Sequence, residues 1–77
     1  MINLKHIKTT DGIVPIINRT LEVLTGDKTN KSFVIVETKI GKWISFFMDE
    51  LDNALYSGSD LKVAYHDNHI DAIKFRA

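Results

Sequence analysis

The stretch His66-Asp67-Asn68-His69-Ile70-Asp71 carries two imidazoles and two carboxylates around one turn signal. Histidine and carboxylate together ligate zinc and other divalent ions, so metal binding is the first chemistry to weigh. The spacing is not that of a structural zinc motif. Asp and Asn also suit the backbone of a tight turn without any ligand. The stretch therefore reads as a solvent-exposed turn, and no metal site is assigned. Neighbouring carboxylates would favour the imidazolium form and draw both histidines upward. Neither is expected to matter to the fold.

Nucleophilic catalysis finds no better footing. Ser32, Ser45, Ser57 and Ser59 lie in no recognisable elbow, and a histidine next to an aspartate in sequence rarely faces it. Asp49, Glu50 and Asp52 offer acid–base groups, but at the start of a helix they serve as caps and as partners of its dipole. The four glycines are isolated, which leaves no phosphate loop. No catalytic residue and no cofactor is assigned, and the chain reads as a non-enzyme.

A third chemistry is stacking and phosphate contact. Lys39, Lys42 and Trp43 surround one turn signal, with Lys28 and Lys31 in the loop before it. An aromatic ring beside ammonium groups can bind single-stranded nucleic acid. Residues 1–48 hold seven Lys or Arg against four acids, and residues 49–77 hold three against six. The total is neutral and no block of like charge appears, so nucleic-acid binding through these five residues is the alternative reading.

The elements that would position these groups centre on residues 33–48, two β-rich apolar runs around Ile40-Gly41. A hairpin with a two-residue loop is expected. It would set Lys39 opposite Lys42, Ile35 opposite Phe46 and Phe33 opposite Met48. One face would then carry Phe33, Ile35, Ile44, Phe46 and Met48, and the other Val34, Val36, Trp43 and Phe47. Both faces are apolar, so both must be covered.

Residues 2–8 suggest a strand, followed by a turn cluster at Thr9-Thr10-Asp11-Gly12. Apolar residues at 13, 14, 16, 17, 21, 23 and 24 fall within half the circumference of a helix, which predicts an amphipathic helix over about 12–25 ending at Gly26. Residues 49–56 predict a short second helix, capped by Asp49 and stopped at Ser57-Gly58. Leu61, Val63 and Tyr65 alternate, as do Ile73 and Phe75, which predicts a second hairpin around residues 67–69. The order is β-α-β-β-α-β-β, an α+β domain with an antiparallel sheet. A five-stranded barrel of the OB type is the alternative.

Length bounds the rest. Seventy-seven residues make one domain with a thin stability margin. Cysteine is absent, which removes disulfides and thiolate metal sites. The first residues lack the apolar run of a signal peptide and nothing approaches a membrane span, so a cytoplasmic protein is expected. Phe33, Ile35, Trp43, Phe46 and Phe47 have the composition of an interface core. The expected function is a small protein-binding module, an inhibitor, adaptor or regulator of a larger partner that also self-associates as a homodimer. Phage and mobile-element proteins offer analogies of this kind.

Overall fold

The computed structural model describes residues 5–77. The chain forms β1 (His6–Thr9), β2 (Gly12–Pro15), a single 3-10 turn (Asn18–Thr20), β3 (Glu22–Thr25), β4 (Ser32–Glu37), β5 (Trp43–Phe47), α1 (Met48–Ser57), β6 (Ala64–His66) and α2 (His69–Arg76). It is an α+β domain with two antiparallel sheets, β1-β2 and β3-β4-β5-β6, and no closed barrel. The strand expected over residues 2–8 lies partly outside the described residues; within them it is β1.

The central hairpin forms, but one residue out of the expected register. Phe33 faces Phe47, Val34 faces Phe46, Ile35 faces Ser45 and Glu37 faces Trp43. The loop holds three residues rather than two. Gly41 N–H donates to Thr38 O, and Gly41 takes a left-handed φ of 86°. This is the turn-plus-bulge closure that three-residue hairpin loops favour. The Thr38 hydroxyl locks it, donating to Lys42 O at 2.7 Å and accepting from Lys42 N–H at 3.2 Å. A slip of one residue exchanges the faces of one strand against the other. Val34, Val36, Ile44 and Phe46 thus share one core, while Phe33 and Ile35 share the other with Trp43 and Phe47.

The helix expected over 12–25 does not exist. Seven of its fourteen residues are β-branched, and such residues lose rotamer freedom in a helix. The segment's first four residues are instead β2, paired with β1, and from Ile16 onward it runs antiparallel along β4. Ile16 bridges Thr38, Ile17 N–H donates to Glu37 O, and β3 pairs with Ser32–Ile35. The 3-10 turn interrupts this ladder and would orphan the amide of Glu37. The Thr20 hydroxyl repairs the gap, accepting from Glu37 N–H at 2.9 Å and donating to Ile17 O at 2.7 Å.

The last element is also reversed: the strand expected near residue 73 is α2. The Asn68 side chain accepts from Asp71 N–H at 2.9 Å, and Asn68 Nδ2 donates to the Asp71 carboxylate at 3.2 Å. Asp71 stands in the first turn and Lys74 and Arg76 in the last, as the helix dipole prefers. The expected short helix is present as α1. Asp49 lies in its first turn rather than capping it, and Gly58 closes it at φ 73°.

The sheet is covered on both faces. α1 and the β1–β2 hairpin enclose Val34, Val36, Ile44 and Phe46, together with Ile7, Ile16, Leu51 and Leu61. On the other face α2 lays Ala72 and Ile73 over Phe33 and Ile35. β4 is therefore buried on both sides, which its unbroken run Phe33-Val34-Ile35-Val36 requires.

Candidate functional site: an apolar groove and a polar pin

α1 crosses its sheet face with only part of its apolar stripe. Leu51 is buried and Ala54 half-buried, but Leu55 is 65% exposed and Tyr56 95% exposed. Beside Leu55, α1 and β1 leave a groove of about 240 Å³. Ile7, Leu51, Ala54 and Leu61 form its floor, and Leu55 and His6 stand at its rim. The Lys8–Asp60 ion pair, 3.5 Å apart and exposed, flanks the same edge. Ligand pockets commonly span roughly 300–1,000 Å³ and converge several polar groups on the ligand. This groove is smaller and mostly apolar, so it suits one or two side chains of a partner better than a cofactor or substrate.

The opposite face holds the polar chemistry. Ser45 and His66 stand on the α2 side of neighbouring strands, diagonal to each other in the β5–β6 ladder. Ser45 Oγ lies 2.8 Å from His66 Nε2. Arg76, from the last turn of α2, donates through Nε to the same Oγ at 3.0 Å and through Nη2 to Ser45 O at 3.2 Å. A guanidinium only donates, so Oγ accepts from Arg76; toward His66 it donates when Nε2 is bare and accepts when Nε2 carries the proton. The first arrangement requires a neutral ring carrying its proton on Nδ1.

The electrostatics favour a neutral ring. Burial pushes His66 below its ordinary value, the Arg76 charge pushes it further down, and Asp71 opposes both. Burial likewise lowers Arg76, with Glu50 opposing. Arginine is charged at any ordinary pH even so. Ser45 is fully buried and His66 nearly so, which encloses the pair between α2 and the sheet. The pair pins α2 to the sheet.

The expectation of two exposed, upward-shifted histidines is therefore corrected for His66, which is 8% exposed and shifted down. His69 is half-buried. It bonds Glu22 of β3 at 2.7 Å and meets the Trp43 ring edge-on at 5.0 Å between centroids. Lys42 bonds Asp67, which lowers that carboxylate. Among the described residues no group of three or more His, Asp or Glu gathers where a metal ion could sit.

The apolar residues expected at an interface are divided. Phe33, Ile35 and Phe46 are enclosed by the chain's own elements, while Trp43 and Phe47 are half-buried at the edge of α2. The five residues of the nucleic-acid reading are not brought together. Lys28 and Lys31 precede β4 and Lys39 and Lys42 follow it, so the six residues of that strand, about 20 Å, separate the pairs. Lys31 sits 5.5 Å from the Phe47 ring, and Arg76 4.6 Å from the same ring.

Sequence reasoning did not find the groove, because Leu55 stands four residues after Leu51 and reads as core. It did not find the pin either. The capping pair Asn68 and Asp71 was the available signal for a helix that would carry Arg76 inward. No protein-family profile matches the chain, and no curated protein and no solved structure is significantly similar to it. Among the described residues, no helix is long and apolar enough to cross a membrane.

Proposed function

We propose that the protein is a small cytosolic binding module, not an enzyme, that regulates or inhibits a larger protein by receiving an apolar side chain in the α1–β1 groove. The observation that carries this reading is Leu55 standing exposed on the rim of an apolar groove, with exposed Tyr56 next to it in sequence. Exposed aliphatic and aromatic side chains next to a cleft are what a hot spot needs, and the Lys8–Asp60 pair supplies a polar rim. The surface differs from the hairpin that composition first suggests, since α1, α2 and the β1–β2 hairpin already cover that element. Self-association through the same groove is part of the proposal, because a nearly neutral chain has little long-range repulsion between copies.

The test is capture from the native host with wild-type protein and with Leu55→Asp. Leu55 is mostly solvated, so the variant should stay folded, with stability changed by about 0.5 kcal/mol or less. A partner held by wild type and lost by Leu55→Asp supports the reading. Equal capture by both proteins, or a partner lost only on changing Phe75, would overturn it. Sedimentation equilibrium of the same two proteins decides the self-association part.

A further inference from the structure

The two ends of α2 are anchored by different contacts. At its start, His69 Nε2 meets the Glu22 carboxylate at 2.7 Å. At its end, Arg76 and His66 share one hydroxyl, Ser45 Oγ, at 3.0 and 2.8 Å. With a neutral ring bare at Nε2, that hydroxyl accepts from Arg76 and donates to His66. A protonated His66 would direct a second charged N–H at the same oxygen, whose own proton must then turn away. Two cations would converge on one buried atom.

We propose that α2 is a lid hinged at its first turn and released by acid: protonation of His66 expels Arg76 from Ser45 and lifts the last turns of the helix off the sheet, while His69 and Glu22 hold the other end. What lifts away is Arg76 from the Phe47 ring, with Ile73 and Ala72 behind it. Phe47 and Phe33, which face each other at the end of the β4–β5 ladder away from Trp43 and His69, are thereby uncovered.

The charged and titratable groups around His66 set the sense of the response. From α2, Arg76 disfavours the imidazolium and Asp71 favours it. From the strand ends, Lys42 is already paired with Asp67, which largely neutralises that corner. Trp43 on β5 and the Phe75 ring, 5.0 Å away, are uncharged. Burial adds to the Arg76 effect, so the folded chain prefers the neutral ring. A folded-state value below the ordinary 6.5 means that the unfolded or undocked state binds the proton more tightly. Docking is therefore fully stable above about pH 6.5 and weakens as pH falls from there toward the folded-state value.

Tryptophan fluorescence would mislead here, because His69 lies against Trp43 and alters its emission directly. Amide hydrogen exchange, corrected for intrinsic pH dependence, is the suitable readout. Between about pH 7.5 and pH 5, protection over residues 72–76 should fall roughly tenfold or more while that of β4 holds. In His66→Gln, whose amide oxygen can accept the Ser45 proton but cannot titrate, the fall should disappear. In His69→Gln the loss should spread to the first turn. Unchanged protection in wild type, or an equal loss in His66→Gln, would overturn the proposal. Should His66→Gln fail to fold, the wild-type imidazole can be titrated by NMR. A midpoint below 6.5 accompanied by loss of α2 protection supports the lid, and a midpoint at or above 6.5 overturns it.

Discussion

The two faces of the four-stranded sheet are covered in different ways. On one, α1 and the β1–β2 hairpin build a core of Ile7, Ile16, Val34, Val36, Ile44, Phe46, Leu51 and Leu61, and among the described residues no Lys, Arg, Asp or Glu is buried there. On the other, α2 contributes Ala72 and half-buried Ile73, and its hold is completed by Arg76 on Ser45. Apolar burial is non-directional and insensitive to protonation. A shared hydroxyl is directional, and its arrangement of donors and acceptors must change when one partner gains a proton. The first face is built for permanence and leaves Leu55 outside, where binding is proposed. The second is conditional.

Three substitutions break or sharpen this contrast. Phe46→Ala empties the permanent core, where that ring is fully buried. It should cost about 3–5 kcal/mol, enough to unfold much of so small a domain, and urea denaturation followed by circular dichroism measures it. Ser45→Ala strikes the conditional face. It removes the acceptor of Arg76 Nε and the partner of His66 while taking away little volume. A loss of about 1–3 kcal/mol is expected, the cost of a buried polar partner left unsatisfied, and the acid response of α2 should flatten with it. Asn68→Ala removes the cap of α2 and should cost about 1 kcal/mol, read as a lower melting temperature with β4 exchange unaffected. Were Asn68→Ala to destabilise both faces equally, α2 would belong to the permanent core and the contrast would fail.

Glycine 26 shows how tightly the conditional face is tied to its neighbour. A Cβ there would meet Thr29 Oγ1 at 2.6 Å and the Arg76 carbonyl at 2.7 Å. The loop before β4 thus passes directly beneath the end of α2, at the point where the lid is proposed to part.

Local sequence determined what depends on local physics. The run Phe33-Val34-Ile35-Val36 demanded a strand buried on both faces, and it is one. Gly58 stopped α1 because only a residue tolerant of positive φ closes a helix that way. The turn at Thr9–Gly12 was legible from its composition. The α+β class followed from these elements. Tertiary structure decided the rest. Residues 13–24 satisfy a helical spacing, yet Ile13 and Val14 pair with β1, and the chain from Ile16 onward pairs with β4 once β4 exists to receive it. Ile73 and Phe75 alternate like a strand, but the Asn68 cap and the apolar face above Phe33 favour a helix there. One bulged residue at Gly41 set which side chains share a core, because strand side chains alternate with period two. Ser45, His66 and Arg76 are spread over 32 residues of sequence. Nothing local links them, since a hydrogen bond between strands and a helix exists only after the sheet register has brought its atoms within about 3 Å.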